Sequence, residues 1–167
     1  PKTEHMFVSS AEHMLPHLRE LSIEKGILMS SGEGNSAVPF GSNDECRQIA
    51  EAFPGIYFWM CNLDDVPENI FERLESYKKQ GAVGIGELMI NRSIDDPMIQ
   101  EIFAAAETLS LPVLFHMSPE VGYEYGIVDD AGLPLLEESL KKYPNLKFIG
   151  HSQPFWHEIS GDASGDL

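Results

Sequence analysis

Short runs of apolar residues alternate along this chain with longer segments in which apolar residues recur every three or four positions. The short runs, such as the aromatic run from Ile56 to Cys61, lack polar alternation, which is typical of strands buried on both faces. The longer segments have the spacing of amphipathic helices. The predicted strands are 27–30, 56–61, 82–90, 112–116 and 146–151. The predicted helices begin near Ser10, Asn43, Pro67, Asp96 and Pro134.

The order strand, loop, helix repeats through the chain and predicts an α/β fold with a parallel sheet and right-handed crossovers. A fifth strand is followed by an aromatic segment, Gln153 to Trp156, which we interpret as a loop. Five strands cannot close an eight-stranded barrel, so part of a (β/α)8 barrel and an open doubly wound sheet both fit. Gly84 and Gly86 lie inside a strand run and therefore form no dinucleotide-binding turn. We interpret residues 1–167 as one domain.

Composition narrows the class of protein. The chain has 167 residues, 43% of them hydrophobic, and a net charge of −16, which disfavours a nucleic-acid partner because a polyanion would be repelled. Cys46 and Cys61 have no metal or redox spacing, as expected in a reducing compartment. No apolar run has the length of a membrane span, and no secretory leader is recognisable. These features predict a cytoplasmic protein with no membrane partner.

Three predicted strands end on residues that can bind metal or transfer protons. They are Glu87, His116 and His151, spaced about one βα unit of thirty residues apart. Because the carboxyl ends of barrel strands converge, these side chains could meet at one site. Imidazole and carboxylate are common metal ligands. The sequence therefore predicts a metal site. The alternatives are structural histidines and a Glu87 that pairs with Arg92 or with a neighbouring lysine.

Residues after these strand ends are the candidates for a substrate pocket. Met117 directly follows His116, and Tyr123, Phe155 and Trp156 lie on segments we expect to be loops at the same face. They could shape a pocket for a planar or acyl substrate, or simply cover the barrel. His157 and Glu158 could line its mouth. The remaining candidates, His5, His13, His17, Asp64 and Asp65, are interpreted as surface or loop-capping residues.

Several motifs, taken in order, resemble a known family. They are Gly84-Ile-Gly-Glu87, Asp96-Pro97, Leu111-Pro-Val-Leu-Phe-His116, Leu133-Pro134, Tyr143-Pro-Asn-Leu-Lys-Phe-Ile-Gly-His151 and Phe155-Trp-His-Glu-Ile-Ser-Gly161. Together they resemble the amidohydrolase-related family of metal-dependent TIM-barrel hydrolases. The Gly-Glu and Leu-Pro-Val-Leu-Phe-His elements are also similar to the TatD-type deoxyribonucleases. This related group of barrel proteins is the main alternative to the amidohydrolase-related family.

The resemblance implies a function for the three strand-end residues. It puts His116 and His151 in the metal site and Glu87 at the fourth-strand position, which elsewhere binds or bridges metal. The expected cofactor is a divalent ion, zinc first and manganese second. The implied reaction is hydrolysis of a C–N or C–O bond of a small molecule by a metal-activated water, with His151 binding metal or assisting proton transfer. The alternatives are non-oxidative decarboxylation, a TatD-like nuclease and a non-catalytic barrel remnant.

The chain departs from the family pattern at its ends. It has no His-x-His and no eighth-strand aspartate, which the family places after the first and last strands. Counting units by the resemblance, the five strands correspond to strands 2 to 6. We therefore expect an internal fragment, truncated at both ends, whose missing ligands lie outside this chain. Its open sheet edges predict self-association, so a homo-oligomer is among the expected states.

Overall fold

A computed structural model describes residues 9–34 and 41–160. Five short strands alternate with helices in the predicted order. The strands are β1 (Gly26–Met29), β2 (Tyr57–Met60), β3 (Ile85–Leu88), β4 (Val113–His116) and β5 (Phe148–His151). The helices are α1 (Ala11–Glu20), α2 (Asn43–Ala52), α3 (Ile70–Lys79), α4 (Pro97–Leu109), α5 (Pro134–Lys142) and α6 (Gln153–Ser160). His5 lies outside the described residues.

All strand pairs are parallel, and each strand lies beside its neighbours in sequence. β1 pairs with β2, and β3, β4 and β5 form the other ladder in that order. A bridge between Cys61 and Ile85, with the Gly86 amide donating to the Cys61 carbonyl, joins the two ladders. A doubly wound sheet reverses its strand order partway, whereas a barrel does not. The sequential order confirms the partial (β/α)8 barrel over the doubly wound alternative.

The two faces of this sheet differ in burial. One face packs under the helices, where Phe115 contacts Phe155 and Trp59 contacts Tyr77 edge to face. Helix α4 contributes most to this core, with Ile99, Ile102, Phe103 and Ala106 fully buried. The opposite face is the inside of the barrel. It carries His116 and His151, and it leaves Ile27, Met29 and Ile149 between 41% and 55% exposed.

Two glycines allow side chains to cross β3 on the inner face. A Cβ on Gly84 would lie 2.8 Å from the Met60 methyl carbon, and one on Gly86 would lie 3.0 Å from the Leu114 Cβ. Met60 and Leu114 therefore fill the space above β3 because positions 84 and 86 have no side chains. This close packing lies directly before Glu87.

Three predictions about the helices are wrong, and the strands are shorter than predicted, as in β3, which covers Ile85–Leu88 of the predicted 82–90. Ser42 rather than Asn43 caps α2, through a capping box with Glu45, and Asn43 is buried instead. Helix α3 begins at Ile70, so Pro67 precedes it. The segment interpreted as an aromatic loop is helix α6, which begins directly after the positive-φ residue Ser152. Its aromatic residues pack one ring inward and expose the next, a helical pattern that their clustering conceals.

Candidate metal centre

Glu87, His116 and His151 meet at the carboxyl ends of β3, β4 and β5. Glu87 Oε1 lies 2.7 Å from His116 Nδ1 and 2.9 Å from His151 Nε2. The two ring nitrogens are 3.4 Å apart. The structure thus brings together the three residues that the sequence singles out, from positions that span 64 residues. Their role as metal ligands stays a prediction.

Strand register explains why the side chains share one face. His116 and His151 are direct partners in the β4–β5 ladder, so their imidazoles project from the same side of the sheet. Glu87 lies where the β3–β4 register shifts between Ile85 and Leu88. Such an irregularity re-aims a side chain relative to regular pairing. The carboxylate therefore reaches both imidazoles.

The donor set fits a divalent metal. The ligand atoms of a tetrahedral zinc ion lie about 3.3 Å apart, given bonds of about 2.0–2.1 Å. The distance of 3.4 Å between the two histidine nitrogens matches this value. The two Glu87 contacts have hydrogen-bond lengths, so the carboxylate would need to withdraw by about half an ångström. Two histidines and one glutamate are a known catalytic zinc set with one open position.

The centre is shielded unevenly. The side chains of Glu87 and His116 are 18% and 20% exposed, whereas His151 is 45% exposed. The alternative interpretation has Glu87 paired with Arg92, and the structure does not show this pair. Arg92 instead binds Asp65 and Asp96, both at 2.9 Å. The carboxylate therefore has the two imidazoles as its partners, and His151 offers the accessible side of the cluster.

A buried asparagine pair, which sequence reasoning missed, supports the backbone of Glu87. Asn62 Nδ2 donates to the Glu87 carbonyl at 2.6 Å and to the Ser30 carbonyl at 3.3 Å. Asn43 and Asn62 exchange two hydrogen bonds of 2.9 Å through the Asn43 side chain. This network ties the carboxyl ends of β1, β2 and β3 together. The available signal was an amide residue directly after the aromatic run of β2.

Ser152 makes a similar link between the two histidine strands. Its hydroxyl accepts from the Met117 amide at 3.1 Å and donates to the Met117 carbonyl at 3.2 Å. Both residues are buried, and each follows one of the two histidines. The Ser152 hydroxyl therefore holds together the backbone segments that follow the two histidines, in addition to the strand register.

The four pocket candidates fall in different places. Met117 lines a groove of about 240 Å3 together with Ser118, Asp130 and, from α6, Pro154, His157 and Glu158. Tyr123 is 54% exposed. Phe155 and Trp156 lie on α6 rather than on a loop. Phe155 packs its ring against the backbone of Gly150, where a Cβ would approach within 2.3 Å, and Trp156 is 57% exposed.

None of the described minor candidates belongs to the group of ligand atoms that lie within 4.8 Å of one another. His13 and His17 are exposed on α1. Asp64 accepts a hydrogen bond from the Glu33 amide at 2.9 Å, which agrees with a loop-capping role, and Asp65 pairs with Arg92.

In the described part of the chain, no helix has the length and apolar character needed to cross a membrane.

A second charged cluster involves residues that follow β1 and β2. Glu33 accepts hydrogen bonds from Arg73, from Tyr77 at 2.9 Å and from the Asp64 amide at 3.1 Å. Burial alone would raise the pKa of Glu33, but these hydrogen bonds outweigh it and the pKa lies below its ordinary value. The cluster is satisfied internally, which indicates a structural role.

Comparisons with known proteins agree with this architecture. No curated protein matches the chain significantly. Among solved structures it is similar to an uncharacterized TIM-barrel protein from Bordetella bronchiseptica, with 16% identity, a TM-score of 0.60, and coverage of 84% of this chain and 50% of that one. A 4-oxalomesaconate hydratase from Rhodopseudomonas palustris has 16% identity and a TM-score of 0.55, covering 94% and 54%.

A third similar structure is a 5-carboxyvanillate decarboxylase from Novosphingobium aromaticivorans with bound manganese. It has 18% identity and a TM-score of 0.51, covering 79% of this chain and 48% of that one. The chain thus spans about half the length of the structures it matches, and at these identities the likeness shows the fold alone. The sequence itself is more specific, because the family model described as Amidohydrolase matches residues 35–161. The chain belongs to the amidohydrolase family.

Proposed function

We propose that this chain supplies part of the active site of a divalent-metal-dependent hydrolase, in which Glu87, His116 and His151 hold the ion. The observation that carries the proposal is the convergence of three ligand atoms from three consecutive strand ends, all within 4.8 Å of one another. When bound, such an ion lowers the pKa of a coordinated water and polarises the bond to be cleaved. The proposed substrate is a small molecule with a C–N or C–O bond.

The three side chains have different tasks in this proposal. His116 and Glu87, the less exposed pair, form the fixed part of the ligand set. His151 is the most exposed and stands with Nε2 toward Glu87, so it is the residue placed to bind the ion or to transfer a proton at that nitrogen. Two imidazoles and a carboxylate suit zinc, and manganese is the second choice.

The experiment is a zinc titration of the purified chain by calorimetry, with His116→Ala and Glu87→Gln as variants. Loss of one of three ligands should lower zinc affinity by at least about 100-fold, beyond the 10–100-fold typical of removing an outer-shell partner. The matched control replaces His13 and His17, whose spacing of four on α1 could also bind metal. Zinc binding that disappears with this control pair and survives His116→Ala contradicts the proposal.

The reaction is tested in a protein that carries the complete barrel, since this chain spans about half the length of the matched structures. Amide, lactone and aromatic-acid substrates are compared, with release of carbon dioxide measured separately. His116→Ala should abolish turnover. Carbon dioxide release without hydrolysis would assign the site to the decarboxylase alternative, and turnover at the wild-type rate in His116→Ala would exclude both.

A further inference from the structure

The segment after β4 folds back onto the candidate centre. The Ser118 amide donates to the Ile127 carbonyl at 2.9 Å, and the Ile127 amide donates to the His116 carbonyl at 2.8 Å. The Gly126 amide donates to the Met89 carbonyl at 2.7 Å. The loop 118–127 is therefore closed at its base and attached to the end of β3.

One side chain ties the two arms of this loop together. Asn91 Nδ2 donates to the Gly126 carbonyl at 2.9 Å and to the Glu120 carbonyl at 3.3 Å. Asn91 Oδ1 accepts from the Gly122 amide at 2.6 Å. A single half-buried amide from the β3 side thus satisfies three backbone groups of the loop.

The loop held in this way rests on the imidazole of His116. The Tyr125 ring lies 4.6 Å from the His116 ring, centroid to centroid, at an interplanar angle of 55°. Gly126 has φ of +105°, and a Cβ there would lie 3.0 Å from His116 Cδ2 and 2.7 Å from Ser118 Oγ. The loop backbone at Gly126 therefore leaves no room for a side chain beside the carbon edge of the imidazole, while Nδ1 faces Glu87 and His151.

We propose that Asn91 is a positioning residue for His116. By locking loop 118–127 it holds Tyr125 and Gly126 against the imidazole, and this contact fixes the ring rotamer that directs Nδ1 toward Glu87 and His151. Outer-shell partners of this kind orient metal ligands and contribute to metal affinity. The positioning itself is a property of the metal-free protein, and only its consequence for metal binding rests on the proposed function.

The positioning is tested by NMR of the His116 ring protons in the metal-free chain at constant pH, assigned with His116→Ala. The Tyr125 ring shifts these resonances, so Tyr125→Leu should move them, and Asn91→Ala should move them in the same direction. Asn145→Ala is the matched control, because Asn145 is exposed in the turn before β5, at the amino-terminal ends of the strands, whereas Asn91 lies at their carboxyl ends. His116 resonances that overlay those of wild type in Asn91→Ala overturn the proposal.

The consequence is tested by cobalt titration, followed by visible absorption. Asn91→Ala and Gly126→Ala should each lower cobalt affinity by about tenfold or more, and Asn145→Ala should not. Tyr125→Leu is the substitute if Asn91→Ala or Gly126→Ala fails to fold, because it removes the ring and leaves every loop hydrogen bond in place. If His116→Ala binds cobalt as tightly as wild type, the proposed function fails, and the NMR result still decides the positioning. Unchanged cobalt affinity in all three variants, with binding lost in His116→Ala, overturns the positioning role in metal binding.

Discussion

Glu33 is a residue at which burial and hydrogen bonding act in opposite directions. Its side chain is 18% exposed, and Arg73, Tyr77 and the Asp64 amide all donate to it. The net effect holds the pKa below its ordinary value, so the folded state favours the ionised form. The stabilisation is therefore present above the ordinary glutamate pKa and is lost as the pH falls through the lower pKa of the folded state.

We expect Glu33→Gln to lower the free energy of unfolding by about 2 kcal/mol at neutral pH, since hydrogen bonds to charged groups contribute about 1.5–3 kcal/mol. Urea unfolding of both proteins should show the difference shrinking as the pH falls below about 4.3, the ordinary glutamate value. Glu72→Gln, at an exposed position on α3, is the control. A difference that stays constant across this range would contradict the argument.

The two cysteines provide a second prediction for single residues. Burial raises the pKa of Cys61 to about 12 and that of Cys46 to about 11, and Cys61 is fully buried. Because the thiolate is the reactive form, neither residue should react with a thiol reagent in the native protein at neutral pH. In a urea titration both thiols should become reactive, and the midpoint of that change should coincide with the midpoint of unfolding. Rapid native labelling of Cys61 would show that the core around β2 opens locally.

At the scale of helices and strands, the sequence pattern predicted some features and missed others. Helix α4 begins at Pro97 with Asp96 as its cap, as predicted, because the cap and the proline are local signals. The meeting of Glu87, His116 and His151 was predicted from their positions at consecutive strand ends, although the register shift beside Glu87 was not. Helix α6 and the buried role of Asn43 did not, since they depend on tertiary contacts with Gly150 and Asn62. Those contacts join residues that are distant in sequence, so a local pattern does not predict them. The same holds for the loop that rests on His116.

The asparagine network predicts how the strand ends depend on one another. Asn62→Ala would remove the amide that serves the carbonyls of Ser30 and Glu87, leaving buried acceptors unsatisfied. We expect a loss of about 1–3 kcal/mol in the free energy of unfolding for each acceptor left without a partner. Asn145→Ala, at an exposed position in the turn before β5, should change it little. Equal stability of Asn62→Ala and wild type in urea unfolding would mean that these carbonyls find other donors.

At the scale of the molecule, the inner face of the sheet is partly exposed among the described residues. In the described residues, β1 and β5 each pair with a strand on one side only. On these two strands, Ile27 and Met29 of β1 and Ile149 of β5 expose apolar surface on the face that carries the candidate centre. Unpaired edges and exposed apolar side chains both favour association between chains. The net charge of −16 opposes it, because copies of the chain repel one another.

These opposing effects predict an association that salt promotes. Screening shortens the reach of charge repulsion to about 10 Å at 0.1 M ionic strength and about 3 Å at 1 M, while the apolar face keeps its attraction. We expect the sedimentation coefficient of the 167-residue chain to rise with salt. Ile27→Thr, Met29→Thr and Ile149→Thr combined should suppress the rise, and Leu140→Thr, at an exposed apolar position on α5, should not. Association that persists in the triple variant would assign it to the strand edges, because their backbone groups are unchanged by these substitutions.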